Sequence, residues 1–207
     1  AGYAASVEDP RRRTVLPSAA TGTGDLAAVE VDPVRGTVTA PAGTVLDPGA
    51  VGKGLAADLA VASALRAGAA GVLVGVGGDL SMAGRPPNGE SWVVLVEDPD
   101  RPAVDGPDGR PVGWPLMVSG GGVATSSTRS RRWTQQGRPR HHVIDPATGA
   151  PARTDLAAVT VVAPTGWEAE AHATAALMAG SGGVVAHLVR LGLAGVAVSD
   201  DGRWLAT

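Results

Sequence analysis

The stretch Asp47-Pro-Gly-Ala-Val-Gly-Lys-Gly-Leu-Ala-Ala-Asp58 constrains the fold more than any other in this 207-residue chain. Glycines at 49, 52 and 54 permit a tight turn. From Leu55 to Leu65, Ala and Leu recur at helical spacing until Gly68 stops them. An extended segment therefore gives way to a helix. Such a turn exposes backbone N–H groups that suit phosphate oxygens, and Lys53, the only lysine in the chain, adds a compact positive charge. The alternative is a plain strand-to-helix turn with no ligand, and the stretch alone leaves both open. It is not a P-loop, because Gly49 and Gly52 are too close and Gly54 stands where a hydroxyl would hold the metal. The Gly-x-Gly-x-x-Gly order of a dinucleotide fingerprint is absent as well.

Composition narrows the rest. With 30 glycines, 16 prolines, one tyrosine and no phenylalanine, small residues must build the core, which favours short strands and close helix–sheet packing. A net charge of −3 does not point to nucleic acid. The absence of cysteine excludes disulfides, thiolate metal sites and a cysteine nucleophile, and leaves the redox compartment open. No apolar run approaches the roughly 20 residues of a membrane span.

Residues 1–26 read as irregular, and Arg11–Arg13 as a solvated basic patch. Ala27–Asp32 and Thr37–Ala40 form a hairpin around Asp32–Gly36. Gly71–Val76 reads as a buried strand ending in Gly77-Gly-Asp79, where a ligand can approach closely or Asp79 can cap a turn. Trp92–Val96 is a further strand, and Asp98–Gly113 an exposed loop. Leu116–Thr128 is a second Gly/Ser-rich element, either a ligand-binding segment or a plain loop. His142 is an acid/base candidate, since an unperturbed imidazole titrates near pH 6.5; a surface histidine pair is the competing reading. Zinc fits poorly, because beyond His141 and His142 only His172 and His187 remain.

Val159–Ala163 is a strong strand. Trp167–Met178 is a helix with Glu168 and Glu170 in its first turn, where the helix dipole favours acids. Glu170 and Thr174 share one helical face and offer hard oxygens of the kind Mg2+ prefers. Gly183–Leu191 is another helix, and Gly195–Ala206 closes the chain as a hairpin. Interleaved strands and helices with two hairpins indicate an α+β fold with mixed sheets and packed helices.

In order along the chain, Asp47–Gly54, Gly75–Asp79, Ala124–Ser126, His142–Gly149 and Val159–Thr174 resemble the motifs of one family, the FAD:protein FMN transferases or ApbE family. Five motifs in the right order cover about 45–207. The resemblance implies a T-fold-like β-α-β architecture, with residues 1–46 the remainder of an amino-terminal region and 47–207 the transferase domain. It implies a Mg2+-dependent enzyme that cleaves the FAD pyrophosphate, releases AMP and esterifies FMN to a Thr or Ser hydroxyl of an acceptor such as a redox membrane complex or flavoprotein subunit. The alternatives are an FAD pyrophosphatase and a non-catalytic FAD-binding module, the latter favoured if the family's amino-terminal part is absent.

By resemblance, the Gly52 carbonyl, Glu170 and Thr174 hold the metal, His142 is the catalytic base, and Gly49, Leu55 and Ile144 contact FAD. Lys53 facing a phosphate is an inference beside these. Three departures stand out: Glu170 replaces aspartate, Gly75 replaces asparagine, and Ser127-Thr128-Arg129 replaces Gly-Asp-Tyr. No acceptor-like Asp-x-x-Ser/Thr-Gly-Ala-Thr segment is present, so self-flavinylation is not expected. Many relatives are periplasmic or anchored at the cell surface; the sequence leaves the cellular side open.

Overall fold

The computed structural model describes residues 26–42, 44, 46–100, 113–135 and 137–207. The readings placed on residues 1–25 and 101–112 lie outside these. The chain forms two compact units, Ala1–Asp47 with Arg131–Arg153, and Pro48–Ser130 with Thr154–Thr207. The functional boundary at 46/47 stays a proposal beside this division.

Along the chain the strands begin with β1 (Glu30–Asp32), β2 (Thr37–Thr39), β3 (Gly71–Val76), β4 (Asp79–Gly84) and β5 (Trp92–Val96). They continue with β6 (Trp114–Val118), β7 (Gly121–Ser127), β8 (Arg132–Gln135), β9 (Arg138–His141) and β10 (Ile144–Asp145). The last are β11 (Ala150–Pro151), β12 (Leu156–Ala163), β13 (Ala194–Ser199) and β14 (Trp204–Ala206). The α-helices are α1 (Gly52–Arg66), α2 (Gly166–Met178) and α3 (Val184–Arg190).

The first unit contains three antiparallel two-stranded ribbons, β1–β2, β8–β9 and β10–β11. The expected hairpin at Asp32–Gly36 is present. The Asp32 carboxylate accepts hydrogen bonds from the N–H groups of Val34 and Arg35, both at 2.9 Å, and so closes the turn. Asp145 does the same between β10 and β11, accepting from Ala147 N at 2.8 Å.

The second unit is built on a six-stranded sheet in the order β14-β13-β12-β7-β4-β3. Every recorded pairing in it is antiparallel, and α2 and α3 return the chain so that β13 lies against β12 in the opposite direction. The α+β class expected from the sequence is what the fold shows. β12 is buried almost throughout, because both its faces are covered.

Alternation along β7 separates the two faces. Val123 points into a cluster with Met82, Trp92, Val94 and Val118, where the β5–β6 hairpin covers the sheet. Ala124 points the other way, into a cluster with Ala163 and Ala169 of α2. Among the described residues no helix is long and apolar enough to cross a membrane.

Four expectations need correction. Among the described residues β3 is an edge strand paired only with β4, and it is half-exposed, not buried. The Leu116–Thr128 segment is not a plain loop but lies largely in strands β6 and β7. Its glycines serve packing: a Cβ on Gly122 would lie 2.3 Å from the Thr165 carbonyl oxygen. α1 begins at Gly52 instead of Leu55, so Lys53 and Gly54 belong to its first turn. α2 begins at Gly166, which puts Glu168 but not Glu170 in its first turn. Glu170 therefore serves a helix end other than its own.

Candidate active site

The helix-covered face of the sheet in the second unit carries the polar cluster. α1 and α2 cross at glycines and cap each other. α1 has no side-chain cap of its own at Val51, and its Gly54 N–H donates to Glu170 Oε2 at 2.8 Å. That amide is one of the orphan donors at a helix start, and the carboxylate also meets the positive end of the helix dipole. In return, Asp58 of α1 accepts from Gly166 N at 2.8 Å through Oδ1 and from Trp167 N at 3.1 Å through Oδ2, both at the start of α2. Ser81 Oγ on β4 donates to the same Asp58 Oδ1 at 2.6 Å. Thr165 completes the α2 end, accepting from Glu168 N at 3.4 Å and donating to Glu168 Oε2 at 2.7 Å.

This capping makes a first prediction. Asp58→Ala leaves two amides and a hydroxyl without their acceptor, and is expected to cost about 1–3 kcal/mol in urea denaturation. Asp58→Asn, which keeps an acceptor, is expected to recover part of it.

Lys53 sits at the centre. Its ammonium donates to Asp79 Oδ2 and to Glu170 Oε1. Both carboxylates are buried, Asp79 to 2% exposed and Glu170 to 3%. Asp79 Oδ1 also accepts from Thr125 N at 3.3 Å. Burial pushes the Lys53 ammonium down, but the hydrogen bonds and negative charges of Asp79 and Glu170 outweigh it and hold its pKa above the ordinary lysine value. For Asp79 burial wins: it lifts the carboxyl above its ordinary value against the opposing pull of Lys53, and the Glu170 charge adds to the rise. Thr174 Oγ1 donates to the Glu170 carbonyl at 3.2 Å and so accepts from Ser126 Oγ at 2.8 Å.

On the opposite face of the sheet lies a cavity of about 480 Å³, between β4, β7 and β12 and the β5 strand. Gly77, Gly78, Leu80, Thr125, Arg129 and Thr160 are among its lining residues. It meets the cluster around the β3–β4 turn. Gly77 (φ 58°) and Gly78 (φ 94°) both take left-handed backbone there, and Thr125 lines the cavity while its amide bonds Asp79. Arg129 is pinned by Asp100 at 2.9 Å and Asp200 at 3.1 Å.

Of the residues singled out from the sequence, the second unit brings together Lys53, Glu170 and Thr174 with the α1 start at Gly52. Gly49 lies in a short 3-10 turn, Pro48–Ala50, and is exposed; Leu55 is 46% exposed. His142 and Ile144 belong to the first unit and are half-buried there, beside the buried Val143. Sequence reasoning gave no role to Asp58, Ser81 or Ser126. A carboxylate at the seventh position of a helix and two strand hydroxyls carry no local signal of a partner across the fold.

The chain belongs to the ApbE family, whose sequence profile matches residues 6–196. It is similar to the FAD:protein FMN transferase of Salmonella typhimurium, 33% identical over 163 residues that make up 78% of this chain and 45% of that protein. The Escherichia coli K12 protein of the same name is 32% identical over 157 residues, 76% of this chain and 43% of its own length. Among solved structures, the ApbE protein of Thermotoga maritima superposes with a TM-score of 0.74 at 30% identity, covering 87% of this chain and 57% of that one. The apo form of the Pseudomonas stutzeri flavinyl transferase ApbE gives 0.71 at 26% identity, covering 98% and 62%. The chain thus spans about half the length of the curated relatives it matches.

Proposed function

We propose that this protein is a Mg2+-dependent FAD:protein FMN transferase. The observation that supports the reading is the seating of the buried Glu170 carboxylate against the first turn of α1, through the Gly54 amide two residues from Gly52. Among the described residues no group of three His, Cys, Asp or Glu side chains is arranged to hold a metal. The donor set proposed is of another kind: one carboxylate, one hydroxyl and, by the family resemblance, the Gly52 carbonyl. These are hard oxygens, few in number, and suit an ion that keeps several of its waters. The residues fit Mg2+, which when bound supplies charge neutralisation at the pyrophosphate.

In the reaction proposed, the hydroxyl oxygen of an acceptor Thr or Ser attacks the flavin-side phosphorus. The anhydride bond breaks, AMP leaves with the bridging oxygen, and the hydroxyl proton passes to the imidazole of His142. The role of His142, and the FAD contacts of Gly49, Leu55 and Ile144, are supported by the family motifs, which Gly49, His142 and Ile144 occupy and Leu55 directly follows. The cavity behind Gly77 and Gly78 has the size of a ligand pocket, with an apolar floor and a few hydroxyls. It is proposed to take part of the dinucleotide.

The test is incubation with FAD, Mg2+ and a candidate acceptor, read as AMP release and as flavin fluorescence on the acceptor in a denaturing gel. Both signals are expected, and both are expected to vanish with chelator. AMP release with no labelled acceptor makes the protein an FAD pyrophosphatase instead. Flavin binding with no AMP makes it a binding module. His142→Ala is expected to slow AMP release by about 100-fold or more, the scale of a lost general base; unchanged turnover rejects that role.

A further inference from the structure

We propose that Lys53 is a built-in counter-cation for the Asp79–Glu170 pair, and that a divalent cation arriving at Glu170 displaces the ammonium from that carboxylate. The proposal rests on the metal reading of Gly52, Glu170 and Thr174. Three observations lead to it.

First, both oxygens of Glu170 are engaged, Oε1 by Lys53 and Oε2 by the Gly54 amide. The amide belongs to the helix frame and cannot leave. The lysine can: its side chain is 36% exposed and its second partner, Asp79, stays in reach. Second, two carboxylates this deeply buried need a positive charge between them, and in this structure Lys53 supplies it. A divalent ion on Glu170 supplies the same compensation and repels the ammonium at contact distance. Third, the chemistry of the head group suits release. Lys53 is the lone lysine among 17 basic residues, the rest being arginine. A guanidinium would bind the carboxylate through a rigid two-point fork, whereas an ammonium is a compact charge on a flexible stem. Gly77 leaves room for that stem, since a Cβ there would stand 3.3 Å from Lys53 Cδ.

A single lysine also makes the test clean, because protein labelled with 13C,15N-lysine shows one side-chain ε-CH2–ammonium signal. Mg2+ is titrated against that signal, and Mn2+ binding is measured in parallel by electron paramagnetic resonance of the free ion. The proteins are the wild type, Lys53→Met, Lys53→Gln and Glu170→Gln. The lysine signal is expected to shift saturably with Mg2+ in the wild type and not in Glu170→Gln. Both Lys53 variants are expected to bind Mn2+ at least 10-fold more tightly than the wild type. If Lys53→Met fails to fold by circular dichroism, Lys53→Gln carries the comparison, because its amide keeps two N–H donors for the carboxylates.

Mn2+ binding that needs Glu170, with a lysine signal that does not move or with Lys53 variants that bind no more tightly, overturns the counter-cation role and leaves the metal site standing. No Mn2+ binding by the wild type or by either Lys53 variant overturns the metal reading itself, and the proposal with it.

Discussion

Glu170→Ala is expected to lose about 2–4 kcal/mol of stability and, on the proposed function, all measurable FMN transfer. The stability part follows from what the carboxylate holds. Its loss strands the Gly54 amide, a buried donor at a helix start, at a cost of about 1–3 kcal/mol, and removes a hydrogen bond to a charged group worth about 1.5–3 kcal/mol. The full 3–5 kcal/mol of a broken buried ion pair does not apply, because Lys53 is partly exposed and keeps Asp79. Relief of the like-charge contact between Glu170 and Asp79 offsets a little more. Urea denaturation measures the loss. Glu170→Gln separates the two roles: its amide oxygen can still accept from Gly54 N, so most of the stability returns. The negative charge proposed to hold the metal does not return, so AMP release stays absent. An alanine variant as stable as the wild type would show that the interhelix cap contributes nothing. A glutamine variant with normal turnover would remove Glu170 from the metal site.

The elements of this fold were legible wherever one residue class repeats locally. The Ala/Leu spacing after Leu55, the apolar β-branched run Trp92–Val96, and the turn chemistry of Asp32–Gly36 and Asp145–Gly149 all mark what the chain forms there. The polar cluster was legible only in part. Gly52, Glu170 and Thr174 were singled out because the spacing 170–174 sets two oxygens on one helical face and because the motifs match a family. The partnership of Lys53 with Asp79 and Glu170 was not, since it joins positions 26 and 117 residues apart and depends on where β4 and α2 meet α1. The same limit explains the misplaced start of α1. Its first turn contains two glycines, poor helix formers, and is held by a carboxylate from another helix that no local rule can see. Ser126 and Thr125 show the other half of the problem. They look alike in sequence, yet strand alternation sends one to the cluster with Thr174 and the other to the cavity with Thr160.

Gly54→Ala is expected to destabilise the protein by about 3 kcal/mol or more, while Gly52→Ala two residues earlier is expected to be neutral or stabilising. Helix propensity argues for alanine at both positions, by about 1 kcal/mol each. Space decides otherwise at one of them. A Cβ on Gly54 would lie 2.2 Å from the Gly166 carbonyl oxygen and 2.6 Å from Trp167 N, all backbone at the start of α2, so no side chain can move aside. The two helices would have to separate, and separation breaks the Gly54–Glu170 and Asp58–Gly166 bonds together. A Cβ on Gly52 meets nothing nearer than Pro48 Cβ at 3.7 Å, an ordinary contact. Its proposed duty is also carried by the carbonyl, which alanine keeps. Chemical denaturation of the two variants against the wild type gives the comparison directly. Equal stability of both would mean that α1 and α2 do not meet at Gly54. Loss of Mn2+ binding in Gly54→Ala with retention in Gly52→Ala would tie the helix crossing to the site as well as to the fold.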